Sequence, residues 1–276
     1  MAPAAKGLLA AAVLTAVLLG AGPLLAQSLN FGSGSDEPIE INAEQGIEWQ
    51  QEKLVFLARG KAVAKRGEVR VHADLLRAYY REKKGGGTDI WRLDAKGKVR
   101  IISPGEIATG EEAVYDVDNS TLVLKGGRQV RLKTRQDTIT ATSQLEYWEK
   151  KQMAVARGNA EAIREDKKIK ADVLAAYFHK DKSGKTEIHR VEAFGNVRID
   201  TAKDQAYAER GVYNVQSGIA TLTGSVKILR AGNELTGCSA EVNLNTGISR
   251  LFGCNQSAGG QKRVRGLIKP GQKLQK

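Results

Sequence analysis

Few residues in this 276-residue chain have the types and spacing that chemistry needs. His72, His179 and His189 lie far apart in the sequence. His72 and His179 fall beside or within apolar strand-like stretches, where a structural histidine is expected. No H-E-x-x-H, G-x-S-x-G or phosphate-binding loop occurs. Glu111 and Glu112 form a carboxylate pair of the kind used in acid–base work, but the matching place later in the chain holds Glu209 and Arg210, which suits a solvated strand end. The expectation is a protein that is not an enzyme and holds no metal and no cofactor.

The two cysteines suggest architecture instead. Cys238 and Cys254 flank a stretch whose midpoint carries the turn signal Asn245-Thr246-Gly247. Two antiparallel strands folded around Thr246 would set the cysteines directly opposite each other, at a separation that suits a disulfide. Such a bridge would stabilise by roughly 3 kcal/mol in the chain-entropy view. The alternative is two free buried thiols. Without a Cys-x-x-Cys pattern the bridge would staple a hairpin and do no redox chemistry.

The elements that position these residues are written twice. "LARGKAVAKRGEVRVHADLLRAYY" (57–80) returns as "VARGNAEAIREDKKIKADVLAAYF" (155–178), and "RLDAKGKVRI" (92–101) returns as "RVEAFGNVRI" (190–199), each 98 positions on. Within each copy a glycine recurs in one local setting, at Gly60, Gly97, Gly126, Gly158, Gly195, Gly224 and Gly253. Apolar or small residues stand two and four places to either side, as with Leu93, Ala95, Val99 and Ile101, while Asp94, Lys96, Lys98 and Arg100 fill the gaps. Alternation with period two means half-buried strands with one apolar and one charged face.

Turn signals such as Asp118-Asn119-Ser120, Lys182-Ser183-Gly184 and Gln216-Ser217-Gly218 separate these strands. The pattern predicts an all-β fold of roughly fourteen to sixteen strands in stacked antiparallel hairpins. The glycines read either as mid-strand bends that fold each rung into a trough, or as turn glycines at strand ends. Each rung buries its apolar face only by stacking on its neighbours. Ala58, Ala62, Ala64, Ala156, Ala160 and Ala162 lie near two of the glycines. They either leave room for a ligand or mark a tightly closed pinch. An enzyme on such rungs would gather acids and bases on one face, and the inward face here is apolar.

Residues 1–26 have a lysine, an apolar stretch and a small residue before Gln27, the anatomy of a secretory signal peptide. Residues 27–37 read as a flexible lead-in, 38–154 as the first copy, 155–270 as the second copy with a terminal strand, and 271–276 as a basic tail. The expected location is a bacterial periplasm. A net charge of +12 favours anionic partners, and export argues against nucleic acid.

The stretches "PIEINAEQGIEW", "ARGKAVAK", "AKGKVRI", "ADLLRAYY", "VYDVDNSTLVLKG" and "GQKRVRGLIKP" resemble the LptA/OstA-like family of periplasmic lipopolysaccharide transport proteins over about residues 38–270. The resemblance implies a twisted open β-jellyroll whose interior accepts acyl chains of lipopolysaccharide. It implies that edge strands meet LptC-like and LptD-like proteins, or other copies head to tail. By position it maps Ile39 and Ile41 to an inward pair near the groove mouth, Tyr115 and Val117 to a second pair, and "KRVRGL" to the stacking strand.

Combined with the alternation, the expected lipid-facing set is Ile39, Ile41, Phe56, Leu93, Val99, Ile101, Tyr115, Val117, Leu122, Leu124, Val197, Ile199, Leu222, Val226 and Ile228. The chain departs from a single-copy member in being longer by nearly one copy. The competing readings are a structural or adhesive repeat protein with a dry core, and an LptC-like sibling.

Overall fold

The computed structural model describes residues 38–83, 85–180, 186–202, 204–243, 245–246, 248–254 and 263–269. The signal peptide, the lead-in, the Lys182-Ser183-Gly184 turn and the basic tail lie outside the described residues.

The first copy contains β1 (Glu40–Asn42), β2 (Gly46–Gln50), β3 (Val55–Arg66), β4 (Val69–Glu82), β5 (Thr88–Ser103) and β6 (Glu106–Asp116). Four short strands follow: β7 (Thr121–Lys125), β8 (Val130–Lys133), β9 (Asp137–Ala141) and β10 (Gln144–Trp148). A single 3-10 turn, Glu149–Lys151, leads to β11 (Met153–Arg164), β12 (Lys167–Lys180), β13 (Thr186–Asp200), β14 (Asp204–Asn214), β15 (Ile219–Arg230) and β16 (Asn233–Asn243). The described chain ends with β17 (Ile248–Phe252) and β18 (Arg265–Leu267).

Every pairing among these strands is antiparallel, and the long strands pair in sequence order. The short strands are halves of rungs. β1 and β2 both pair with β3, β7 and β8 with β6, β9 and β10 with β11, and β17 and β18 with β16. Eighteen described strands therefore make fourteen rungs of an open β-jellyroll.

The break has a local cause in every second rung. In β5 the register slips between Lys96 and Val99, and both residues between them are left-handed, Gly97 at φ +82° and Lys98 at φ +49°. A side chain at Gly97 would collide with Asp74, which lies across it, since an added Cβ would sit 2.5 Å from Oδ2. Only glycine meets both the dihedral and the close approach. The same two-residue left-handed step recurs at Gly60–Lys61, Gly158–Asn159, Gly195–Asn196 and Gly224–Ser225. Gly126 and Gly127 occupy the break between β7 and β8, and Gly253 lies between β17 and β18. The mid-strand bend is thus the correct reading at the long rungs.

Each bend leaves two arms face to face. One arm carries Leu76, Leu93 and Ala113 and the other Val71, Ile101 and Ala108, and a single apolar cluster joins them. At the bend the arms close completely. Ala62 and Ala160 are wholly buried, and Val99, Val197 and Val226 nearly so. Ala62 and Ala160 mark a pinch, whereas Ala156 and Ala162 line a space between the arms.

Two local expectations are corrected. Glu111 and Glu112 sit mid-strand at the β6 bend and not at a strand end. Glu111 faces Gly126, and Glu112 lies between Lys96 (3.5 Å) and Lys125 (3.6 Å). Cys238 and Cys254 are joined, with Cα atoms 5.1 Å apart, but the β16–β17 ladder ends at Ser239 opposite Phe252. The hairpin is therefore one residue out of the symmetric register. The bridge crosses just beyond the last ladder pair and ties β17 to β16 near the interval before β18.

Candidate functional site

The interior is built by rows of side chains that directly oppose one another across the ladders and so share a face. Its bottom is the closed seam at the bends. Each arm ends in a lip, and the two lips differ chemically.

On one lip the inward positions are aromatic. Trp49 stacks on Phe56 with ring centroids 5.3 Å apart, and Phe56 meets Tyr80 at 5.0 Å. The Trp49 indole N–H donates to the Tyr80 hydroxyl at 2.7 Å. Further along, Tyr147 meets Phe178 edge to face at 6.4 Å, and Tyr213 is buried against Ala220 and Val242. The few aromatic residues of the chain are thus concentrated where one arm meets solvent.

The other lip is polar because of its tight turns. Arg66 faces Val69, Ser103 faces Glu106, Arg164 faces Lys167, and Arg230 faces Asn233, each pair closing a hairpin on the inward side. Two turns share the pattern Thr-x-x-Asp. The Thr134 hydroxyl accepts from the Asp137 N–H at 2.9 Å, and that of Thr201 accepts from the Asp204 N–H at 3.0 Å. An arginine from the next rung then reaches each aspartate, Arg164 to Asp137 at 2.6 Å and Arg230 to Asp204 at 3.4 Å.

Between the lips, around the short strands β7 to β10, the arms separate and enclose a cavity of about 260 Å³. That exceeds the roughly 150 Å³ at which an apolar cavity can hold a benzene-sized guest. Leu122, Leu124, Leu132, Ile139, Leu145 and Leu174 make its walls, Tyr147 and Phe178 its aromatic side, and Glu106, Asp137, Arg164 and Lys167 its polar side. The chamber lies where the first copy passes to the second. A smaller cavity of about 40 Å³ lies in the first copy, beside Ile41, Leu93, Ile101 and Tyr115.

Burial tunes the groups around the chamber. It pushes the Glu106 carboxyl up to about 7 and the Tyr147 phenol up to about 12, the latter also through the charges of Glu149 and Glu106. Hydrogen bonds to Asp137 hold the Arg164 guanidinium above its ordinary range.

The expected lipid-facing residues all lie on or against the inward face, but in three different settings. Val99, Ile101, Tyr115, Leu124, Val197, Ile199, Leu222, Val226 and Ile228 are core residues. Ile39, Ile41, Leu93, Val117 and Leu122 are partly buried against them, and Phe56 belongs to the aromatic lip. Of the set, Leu122 and Leu124 line the large chamber. Sequence reasoning missed Leu132, Ile139, Leu145 and Leu174, although the alternation in "TITATSQLEYW" marks Ile139, Leu145 and Tyr147 as one face. It missed the polar lip entirely. It also set His179 and His189 apart, whereas the β12–β13 hairpin brings their rings to 5.4 Å. Among the described residues no three His, Cys, Asp or Glu side chains are grouped to hold a metal ion.

Among the described residues both ends of the stack are open. β1 and β2 pair on one side only, as do β17 and β18, among the described residues. Ile47 (51% exposed) and Trp49 (54%) mark the first edge, and Phe252 (46%) and Leu267 (47%) the last.

Comparison with known proteins gives three findings. The model of a family described as "LptA/(LptD N-terminal domain) LPS transport protein" matches residues 40–143 and again 138–248. An uncharacterized protein of Rhizobium meliloti (strain 1021) is 31% identical over 134 residues, which span 46% of this chain and 69% of that one. The crystal structure of LptH, the LptA homologous periplasmic component of the lipopolysaccharide transport device from Pseudomonas aeruginosa, aligns over 85% of this chain and 96% of that one. Its 13% identity and TM-score of 0.23 give that alignment no weight.

Proposed function

Because the chain belongs to the LptA/LptD N-terminal domain family of LPS transport proteins, we propose that it is a periplasmic bridge that carries lipopolysaccharide by its acyl chains. The observation that supports this reading is the apolar chamber of about 260 Å³ between the arms, set in a stack whose two end rungs each pair on one side only among the described residues.

Exposing an acyl chain to water costs about 0.8 kcal/mol per methylene. A chamber walled by Leu132, Ile139, Leu145 and Leu174 removes that cost while the chain crosses an aqueous compartment. No bond is made or broken, so the protein needs no catalytic group, metal or cofactor. Apolar contact is non-directional, which suits transfer between equivalent sites. Beyond the chamber the two arms pack against each other, with Leu222 on one and Ile228 on the other each 2% exposed, so onward passage requires them to part.

The free edges of β1/β2 and β17/β18 supply the backbone groups for strand addition by LptC-like and LptD-like partners or by a second copy. The Cys238–Cys254 bridge would hold the last rung in shape for that docking. Residues 1–26 would deliver the chain to the periplasm as a cleaved signal peptide.

In-cell photocrosslinking tests the reading. A photoreactive residue replaces Ile139, which lines the chamber, or its outward neighbour Thr140, followed by immunoblotting for lipopolysaccharide. Adducts from position 139 alone are expected. A folded, exported protein giving none at 139 would favour the dry-core repeat protein instead.

A further inference from the structure

The chamber is amphipathic in a specific sense. One lip over it is aromatic, with Tyr147 and Phe178, and the other is charged, with Glu106, Asp137, Arg164 and Lys167. Surface charges normally point away from a β-sandwich interior, yet these are on the same inward rows as Ala108, Ile139, Ala162 and Ile169. The Lys167 side chain is only 13% exposed and its nearest carboxylate, Glu165, is 4.0 Å away, a weak contact. Lys167 lines the chamber, and its ammonium lies on the side of the exposed Glu165.

We infer that the chamber binds an anionic amphiphile in one orientation, with the alkyl chain between the arms and the negatively charged head group at the Arg164–Lys167 lip. This rests on the proposed lipid-carrying role and adds to it which lip reads the head group. An amphiphile lying the other way would place its charge among Tyr147, Phe178 and Ile188, where none of the described residues lining the chamber is a cation. Desolvating a charge without a partner is costly, so the two orientations are not equivalent. The outward basic residues, such as Arg100, are on the opposite face of the sheet and contribute only a diffuse field.

The test uses the mature protein with a neutral fluorescent apolar probe, N-phenyl-1-naphthylamine. Its displacement is measured with dodecyl phosphate, dodecyl maltoside and inorganic phosphate. Dodecyl phosphate is expected to bind roughly tenfold tighter than dodecyl maltoside, the increment of one charge-assisted hydrogen bond. Lys167→Gln removes that advantage, so that the two amphiphiles bind alike. Arg100→Gln changes neither. Inorganic phosphate alone displaces no probe, since the chain and not a free anion fills the chamber.

Equal affinity of the two amphiphiles, unaltered by Lys167→Gln, would overturn the oriented site while leaving a lipid chamber. An equal loss from Arg100→Gln would place the head group outside, and displacement by inorganic phosphate would make the lip a free-anion site. Failure of the probe to bind at all would remove the lipid-carrying role itself.

Discussion

The Arg164 guanidinium holds the Asp137 carboxylate in a two-point grip, Nε to Oδ1 at 2.6 Å and the second nitrogen to Oδ2 at 2.7 Å. The pair joins β9 to β11, the contact through which the first copy passes to the second. Both side chains are about 15% exposed, so the pair is neither a solvated surface bridge nor a fully dry one. Its loss should cost between the values for those limits, about 2 kcal/mol. Asp137→Asn is expected to lower the urea midpoint accordingly. The reversed pair, Asp137→Arg with Arg164→Asp, should recover part of the loss. If each single variant is as stable as the parent, the grip does not fasten the two copies.

Glu106 makes stability depend on pH. Burial raises its carboxyl to about 7 in the folded chain from an ordinary carboxylate value near 4.5. The folded state therefore holds the proton more tightly. Its contribution is fully present below about pH 4.5 and is lost as pH rises through 7. Urea unfolding at pH 5 and pH 8 should show Glu106→Gln to be the more stable protein at pH 8, with the difference shrinking at pH 5. At most about 3 kcal/mol is at stake. An equal difference at both pH values would mean that the carboxyl titrates normally.

Much of this architecture was legible because period-two alternation and a bend glycine are local signals. Leu93, Ala95, Val99 and Ile101 declare an inward face on either side of Gly97, and the structure has them there. The alanines left two readings open because their surroundings are non-local. Whether Ala62 lines a space or closes one depends on how near the opposite arm comes, and no residue within its own strand reports that. The chamber was hidden for the same reason, since it opens only where short strands replace continuous rungs. The polar lip was illegible because Thr134-x-x-Asp137 looks like any solvated turn until Arg164, from another rung, is folded over it. The cysteine register was wrong by one because a symmetric turn was assumed around Thr246.

The bend itself can be tested at Gly97. A side chain there must adopt φ +82° and displace Asp74. Left-handed backbone costs an L-residue about 1–2 kcal/mol before any clash is counted. Gly97→Ala is thus expected to lose about 2 kcal/mol in chemical unfolding. The adjoining Lys98 already bears its φ of +49°, so Lys98→Gly relieves strain while loosening the unfolded chain. These effects oppose, and the net change should lie within about 0.5 kcal/mol. Equal losses from both substitutions would deny the glycine its special role.

Chamber and pinch should respond in opposite ways to the same added ring. Ala162 lines the chamber between Ile139 and Ile169, while Ala160, two residues earlier on β11, is completely buried at the bend. A phenyl group at 162 has empty volume to enter, so Ala162→Phe should change stability by less than about 1 kcal/mol. It should also abolish binding of a neutral apolar dye by occupying the dye's place. At 160 there is no such volume, and Ala160→Phe must push the arms apart, costing about 3 kcal/mol or preventing folding. Thermal unfolding and dye titration of the two variants separate these cases. If Ala162→Phe is as damaging as Ala160→Phe, the interior is packed throughout and its chamber does not exist in solution. If Ala162→Phe is stable yet still binds the dye, the dye sits elsewhere, and the exposed rings at the Trp49 edge are the next place to look.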